Sequence, residues 1–162
     1  MSNVLAGEEN YLDELIEICV KLDVDAALVR SICQVESGGI SGRCRYESGY
    51  SYLVSPSHWA VNSGISVQTE IVMQKTSWGL MQLMGANFRS LGFSGQWPEV
   101  GYLVGLQLHY SCTFLKGLLK RYSREDAIAA YNAGSPRRNK SGRFENQAYV
   151  DKVLKYYMQI KG

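Results

Sequence analysis

The chain has 162 residues, of which 46% are hydrophobic, and these totals are typical of one globular domain with a core of its own. The formal net charge is only +2, which argues against a protein that binds nucleic acid through a strong basic excess. No apolar run approaches the ~18 residues that a membrane-spanning helix needs, so we expect no stable membrane insertion. We expect a monomer that forms a single domain over residues 1–162.

Cysteine usage gives no sign of a metal site. The sequence contains four cysteines, Cys19, Cys33, Cys44 and Cys112. None of them shows CxxC spacing, and the two histidines, His58 and His109, lie far apart. We therefore expect no zinc and interpret the cysteines as free buried thiols. Disulfides are the alternative if the protein acts outside the cytoplasm.

The first half of the chain begins with two helices. Apolar residues at helical spacing predict the first helix: Tyr11, Leu12, Leu15, Ile16, Cys19 and Leu22. Asp25 is a candidate N-cap for a second helix over 26–37, which Gly38 and Gly39 would end. Residues 40–75 carry no sustained period, so they predict a long loop-rich insertion, a feature that is usually functional.

Helical patterns return in the second half. Apolar positions from Leu80 to Leu91 predict a helix that ends at Gly92, and Pro98 suits the first turn of a long helix over 98–121. Ser123 and Asp126 resemble a capping box for a helix over 124–132. A final helix is predicted near 145–160. The fold class is therefore mainly α.

One carboxylate stands out from this pattern. Glu36 follows Val29, Ile32 and Cys33 at the spacing of a single helix face, so it lies on the stripe that should face the core. Burial would raise its pKa and make it a candidate general acid. The alternative is that Glu36 reaches solvent at the helix end.

Four short segments, in this order, resemble motifs of one enzyme family. Residues 33–38 read Cys-Gln-Val-Glu-Ser-Gly, residues 79–82 read Gly-Leu-Met-Gln, residues 130–134 read Ala-Tyr-Asn-Ala-Gly, and Tyr149-Val150 follows on the last predicted helix. This series resembles the soluble lytic transglycosylases, relatives of goose-type lysozyme, over about residues 25–158. The resemblance implies a lysozyme-like fold with a substrate cleft, and Glu36 as the catalytic acid.

The same resemblance implies residues that bind the glycan strands of peptidoglycan. Gly79 would allow close approach of a sugar, Gln82 would hydrogen-bond to it, and Met81 would line the cleft unless it packs in the core. Ser77 is the nearest counterpart of a serine that precedes the family's Gly-Leu-Met-Gln.

The later motifs add four candidates. The resemblance implies a catalytic role for Tyr131, with its hydroxyl near Glu36, while Asn132 would hold sugar or loop backbone; the alternative for both is a plain helix end. Tyr149 is expected to combine core packing with a polar tip in the cleft. Glu145 matches a frequent family glutamate, or serves only as a charge at a helix start.

The chain departs from the family pattern in its long insertion. Forty-five residues separate Glu36 from Gln82, and many of those between are aromatic. These aromatic side chains would stack on sugars or, equally, pack the insertion onto the domain. The candidates for a second carboxylate are Glu47, Glu70 and Asp126, none of which lies on a recognisable motif.

A single-carboxylate reaction fits this inventory best. Glu36 would cleave the β-1,4 bond between N-acetylmuramic acid and N-acetylglucosamine and form 1,6-anhydromuramic acid, without metal or cofactor. One alternative is a goose-type hydrolase that uses a second carboxylate. Another is an inactive glycan-binding component of a virion.

The setting expected from the sequence is that of a bacteriophage endolysin, and the alternatives are a tail-associated lysin or a bacterial enzyme translated without its leader. Residues 1–10 are polar and acidic and lack the features of a secretory signal. We therefore expect synthesis in the cytoplasm and action on the periplasmic cell wall after release by a phage holin.

Overall fold

The computed structural model describes residues 10–162, and nearly all of the segment on which the signal-peptide expectation rests lies outside that range. The helices are α1 (Leu12–Leu22), α2 (Ala26–Ser37), α3 (Pro56–Ser63), α4 (Val67–Gln74), α5 (Gly85–Ser90), α6 (Trp97–Tyr102), α7 (Val104–Leu119), α8 (Arg124–Ala133) and α9 (Gln147–Lys161). Three short strands, β1 (Cys44–Tyr46), β2 (Thr76–Trp78) and β3 (Leu83–Met84), form an antiparallel sheet in the order β1-β2-β3. Of residues 10–162, 60% lie in helices and 7% in strands, which confirms the predicted mainly α, single-domain fold class.

The main core lies among α1, α2, α7, α8 and α9. Helix α2 packs against α9 and α1 against α7, while α8 packs on both α7 and α9. The predicted cap is confirmed, because the Asp25 carboxylate accepts a hydrogen bond from the Ala27 amide at 2.9 Å. Gly38 ends α2 in the left-handed conformation, with φ of 65°. Ser123 is the N-cap of α8, since its hydroxyl accepts from the Asp126 backbone amide at 3.2 Å and donates to the Asp126 carboxylate at 2.7 Å.

A second, smaller core supports the sheet. Its buried residues are Leu83, Phe88, Phe93, Trp97 and Val100. Trp78 of β2 stacks on Trp97 with ring centroids 5.9 Å apart. The two cores stand on either side of the region where α2 ends. No helix within residues 10–162 is long and apolar enough to cross a membrane.

The prediction of a loop-rich insertion over 40–75 is wrong in part. The segment contains β1, α3 and α4. Ser66 caps α4 by accepting a hydrogen bond from the Thr69 amide at 3.0 Å, and Pro56 begins α3. These helices have eight residues each and bury few of them, so they carry too short an amphipathic stripe to detect from sequence.

The prediction of one helix from Leu80 to Leu91 is also wrong. Residues 77–84 form a hairpin in which Ser77 pairs with Met84 and Trp78 pairs with Leu83. The Gly-Leu-Met-Gln segment is the hairpin loop, and the helix α5 covers only Gly85–Ser90. Gly79 at φ 75° and Gln82 at φ 49° adopt the left-handed conformation that the turn requires.

The long helix predicted over 98–121 is two helices. Leu103 adopts an extended conformation between α6 and α7, with φ of −91° and ψ of 99°. Pro98 therefore lies in the first turn of α6 and not of a longer helix. Among the cysteines, Cys44 is exposed on β1, which corrects the expectation that all four thiols are buried.

A buried ion pair joins the insertion to the smaller core. Both Glu70 of α4 and Arg89 of α5 are fully buried, and two nitrogens of Arg89 donate to the Glu70 carboxylate at 2.8 and 3.0 Å. The Trp97 indole also donates to Glu70 at 2.7 Å. The Arg89 guanidinium lies 4.8 Å from the Trp59 ring centroid and 4.4 Å from that of Trp97.

Because solvent does not reach this ion pair, removing one partner leaves a buried charge without compensation. We expect Arg89→Met to lower the free energy of unfolding by about 3–5 kcal/mol. Arg138→Met is the matched control, since it breaks a solvent-exposed pair with Asp126 and should cost less than about 1 kcal/mol. Urea denaturation of both variants measures the difference. Equal losses would contradict a special role for the buried pair.

Candidate active site

Glu36 lies in the last turn of α2, where the helix reaches the space between the two cores. Its side chain is half-buried, so it neither packs fully in the core nor escapes to solvent. The neighbouring Ser37 is buried and donates a hydrogen bond from its hydroxyl to the Cys33 carbonyl at 3.0 Å. The serine of the Glu-Ser pair therefore belongs to the helix end, and the glutamate alone faces the cavity.

Tyr149 holds the Glu36 carboxyl in place. The Tyr149 hydroxyl of α9 donates a hydrogen bond to Glu36 Oε1 at 2.7 Å. This distance is ordinary for a hydrogen bond between two oxygen atoms. The contact joins residues 113 positions apart, so it depends on the packing of α9 against α2.

The surroundings of Glu36 shift its proton affinity in opposing directions. Burial raises the pKa of the Glu36 carboxyl, while the hydrogen bond from Tyr149 and the positive charge of Arg45 oppose that rise. The pKa remains above its ordinary value. Glu36 can therefore hold a proton closer to neutral pH than an exposed glutamate does.

A cavity of about 420 Å³ opens over Glu36. It is bounded by the end of α2, the sheet, α5, the end of α8 and the first two turns of α9. The residues around it are Val35, Glu36, Arg45, Glu47, Ser77, Gln82, Leu83, Met84, Asn87, Tyr131, Asn132, Ala148, Tyr149 and Lys152. Six of the nine residues proposed from the sequence lie together here.

Tyr131 lies beside Glu36 without bonding to it. Its hydroxyl donates to the Met81 carbonyl at 2.9 Å and so ties the end of α8 to the hairpin loop. Burial, followed by the negative charge of Glu36, raises the pKa of Tyr131 well above its ordinary value. Tyr131 is therefore a neutral side chain whose proton is already committed to the backbone.

Gly79 and Met81 lie outside the cavity lining. The Met81 side chain is 1% exposed and belongs to the main core, which corrects its proposed place on the cleft wall. A Cβ on Gly79 would overlap the Gln107 side chain, so the close approach there is to Gln107 and not to a sugar. Gln107 holds the loop, since it accepts from the Leu80 amide at 3.1 Å.

The polar atoms of Ser77 and Gln82 are used within the hairpin. The Ser77 hydroxyl donates to Gln82 Oε1 at 3.0 Å, and the Gln82 amide nitrogen donates to the carbonyls of Arg43 and Gly79. Both side chains border the cavity, but their hydrogen bonds fix its wall. Direct bonding of Gln82 to a sugar would require some of these contacts to open.

Asn132 and Glu145 occupy different positions relative to the cavity. Asn132 borders it, and its Oδ1 accepts a hydrogen bond from the side-chain nitrogen Nδ2 of Asn146 at 3.0 Å. Glu145 precedes α9 and forms an exposed ion pair with Arg137 at 3.3 Å. Glu145 does not contribute to the cavity lining.

Of the three candidates for a second carboxylate, the structure brings only Glu47 to Glu36's cavity. Glu70 is bound by Arg89 in the smaller core, and Asp126 of α8 pairs with Arg138 of the following loop. Glu47 lines the cavity, where its carboxylate forms an ion pair with Arg45.

A larger space continues the cavity toward the insertion. It measures about 830 Å³ and shares six lining residues with the cavity over Glu36, including Arg45 and Asn132. Tyr50 and Tyr52 of the insertion border it, with ring centroids 5.7 Å apart, and the Tyr52 side chain is 79% exposed. The insertion therefore contributes both packed and accessible aromatic side chains.

Sequence reasoning missed several residues that shape the cavity. Lys152 lies three residues after Tyr149 on the same face of α9, so its position could have been found from helical spacing. Gln107 falls on the buried face of α7, where a long polar side chain signals a structural hydrogen bond. Asn87 gave no such signal, because its place depends on the hairpin. Among residues 10–162, no group of three or more His, Cys, Asp or Glu side chains could hold a metal ion.

Comparison with known proteins identifies one matching family. The model of the transglycosylase SLT domain matches residues 15–152, which include Glu36, the hairpin loop, Tyr131 and Tyr149. None of the curated proteins that were compared matches the chain.

The geometry predicts how the Glu36 carboxyl responds to loss of its partner. Tyr149→Phe removes a hydrogen bond that stabilises the ionised carboxylate, so the pKa of Glu36 should rise further. Tyr131→Phe is the matched control, because the Tyr131 hydroxyl donates to Met81 and not to Glu36. Titration of ¹³C-labelled glutamate side chains by NMR measures both shifts. A larger upward shift in Tyr131→Phe would contradict the assigned contact.

Proposed function

The chain belongs to the transglycosylase SLT domain family, and we propose that it cleaves the β-1,4 bond between N-acetylmuramic acid and N-acetylglucosamine, releasing 1,6-anhydromuramic acid. At family level, this is lytic transglycosylase-type degradation of peptidoglycan. The observation that carries the proposal is the half-buried Glu36 carboxyl, which faces an open cavity with its pKa raised.

The first step uses Glu36 as a general acid. Protonated Glu36 donates its proton to the glycosidic oxygen, which leaves with the bonding electron pair as the C4 hydroxyl of N-acetylglucosamine. Positive charge develops at C1 of muramic acid, and the sugar's own N-acetyl oxygen can stabilise it, as in substrate-assisted glycosidases. The raised pKa of Glu36 keeps a useful fraction of the acid form near neutral pH.

The second step uses the same group as a base. Ionised Glu36 accepts the proton of the C6 hydroxyl, and the C6 oxygen forms a bond to C1. This closes the 1,6-anhydro ring and restores protonated Glu36 without consuming water. The hydrogen bond from Tyr149 and the charge of Arg45 stabilise the carboxylate between the two steps.

The competing candidate is a hydrolase of the goose lysozyme type. One observation favours it: Glu47 lines the same cavity as Glu36 and is a carboxylate that could activate water. Against it, the Glu47 carboxylate is already engaged by Arg45. We therefore assign Glu47 to holding Arg45 in place and retain the transglycosylase reaction.

The site of action follows from the substrate. Peptidoglycan is the polymer of the bacterial cell wall, and we propose that the chain degrades it there. Release by a phage holin stays a prediction from the sequence.

The proposed role of Glu36 is tested by Glu36→Gln, which keeps the shape of the side chain and removes the acid. Activity against purified peptidoglycan should fall by at least about 10²-fold. The melting temperature should stay near that of the unaltered protein. Glu125→Gln is the matched control, since Glu125 is exposed on α8 away from the cavity. Clearance by Glu36→Gln at nearly full speed would refute the assignment.

The reaction type is tested by the masses of the products and by Glu47→Gln. Anhydro-muropeptides should dominate the digest, each lighter by one water than the hydrolysis product. Glu47→Gln should keep activity within about tenfold, because no step asks Glu47 to transfer a proton. Glu70→Gln is unsuitable here, since it would disturb the buried pair with Arg89. Reducing-end muropeptides, together with an inactive Glu47→Gln, would establish the hydrolase.

A further inference from the structure

A groove lies between α2 and α9 beside the cavity over Glu36. It measures about 370 Å³ and is lined by Gln34, Val35, Lys152, Lys155, Tyr156 and Gln159. Val35 and Lys152 also line the cavity that holds Glu36. The groove and the cavity therefore meet at these two side chains, and a ligand can extend from one into the other.

Two lysines give the groove a positive charge that no acid among residues 10–162 neutralises. Lys152 and Lys155 are exposed and lie three residues apart on α9. Neither ammonium group forms an ion pair with an acid of the described residues, whereas the neighbouring Asp151 faces Arg143 at 3.9 Å. An anionic group in the groove would thus meet two cations without competing partners.

Gln34 adds an unused hydrogen-bond acceptor. Its side-chain Oε1 is buried, yet it accepts no hydrogen bond from any described residue. Buried polar atoms in folded proteins nearly always have a partner, so an orphaned amide at a groove is unusual. Rotation of the Gln34 side chain toward the groove would bring Oε1 to the surface, where an N–H group of a ligand would supply the missing bond.

We propose that this groove binds the acidic peptide branch of the substrate, with peptide carboxylates at Lys152 and Lys155 and a backbone N–H at Gln34. The inference rests on the proposed function, in which the sugar beside Glu36 is muramic acid. Muramic acid carries its peptide on the lactyl group at C3. The branch must therefore leave the glycan close to Glu36, where the groove begins.

The opposite end of the cleft has a different chemical character. The arginines that border the larger space are already paired, Arg45 with Glu47 and Arg137 with Glu145. Exposed aromatic surface is provided there by Tyr52. This end suits uncharged sugars, and the α2–α9 groove suits an anionic branch. The difference assigns the glycan to the larger space and the peptide to the groove.

Charge reversal in the groove tests the assignment with two substrates. One is glycan strands that bear peptides, and the other is the same strands after an amidase has removed the peptides. Lys155→Glu should lower kcat/KM on the first substrate by about fivefold or more at low ionic strength, while activity on stripped strands changes by less than about twofold. Lys120→Glu is the matched control, because Lys120 is exposed and lines neither cavity nor groove. It should alter neither activity.

Direct binding separates this inference from the proposed function. A muramyl tripeptide with free carboxylates should bind the unaltered protein more tightly than the same compound with its carboxylates amidated, as measured by calorimetry. Gln34→Leu should weaken that binding without lowering the melting temperature. If neither substrate is cleaved, the proposed function has failed. In that case, tighter binding of the carboxylated tripeptide than of the amidated one would still support the groove. Equal binding of the two compounds, or equal loss of activity on both substrates, overturns the inference.

Discussion

The antiparallel packing of α2 against α9 is the constraint on which the candidate site depends. A tyrosine of α9 bonds to an acid at each end of α2: Tyr157 donates to Asp25 at 2.7 Å, and Tyr149 donates to Glu36 at 2.7 Å. Asp25 begins the helix as its cap, and Glu36 lies in its last turn. The two contacts fix the register of the helix pair, so the carboxyl that faces the cavity is held by the same packing that forms the core.

On the sheet side of the cleft, side-chain amides fix the backbone by hydrogen bonds. The hairpin loop has few regular backbone bonds, and Gln107 and Gln82 supply others: Gln107 bonds to the Leu80 amide and the Val100 carbonyl, and Gln82 bonds to Ser77 and the Gly79 carbonyl. Gln74 does the same for the insertion by bonding to both the amide and the carbonyl of Val54. Buried backbone groups need partners, and long polar side chains provide them where strands are too short. The cleft wall is thus held together by hydrogen bonds without extended secondary structure.

The helix packing and the side-chain hydrogen bonds of the cleft wall explain which parts of the site could be predicted from the sequence. Glu36 and its helix were predictable, because α2 is amphipathic, capped and ended by glycine. The hairpin loop was not: Leu80, Met81, Leu83 and Met84 match helical spacing, and only the left-handed conformations at Gly79 and Gln82 turn them into a loop. The Tyr149–Glu36 bond was hidden for another reason, since it spans 113 residues and follows from packing alone. Six of the nine residues proposed from the family resemblance line the cavity over Glu36, but the motifs could not distinguish residues that face the cavity from those, like Met81, that support it.

A group that acts first as an acid and then as a base must not be fixed in either state. Burial alone would hold Glu36 protonated and make it a poor base, while an adjacent cation alone would hold it ionised and make it a poor acid. Here burial is opposed by one neutral donor, Tyr149, and by the charge of Arg45, which is itself partly neutralised by Glu47. The ion pair thus attenuates the field at Glu36 without adding a second reacting group. In the proposed reaction, Glu47 therefore contributes through Arg45, and the cavity needs only one carboxyl that changes its protonation state.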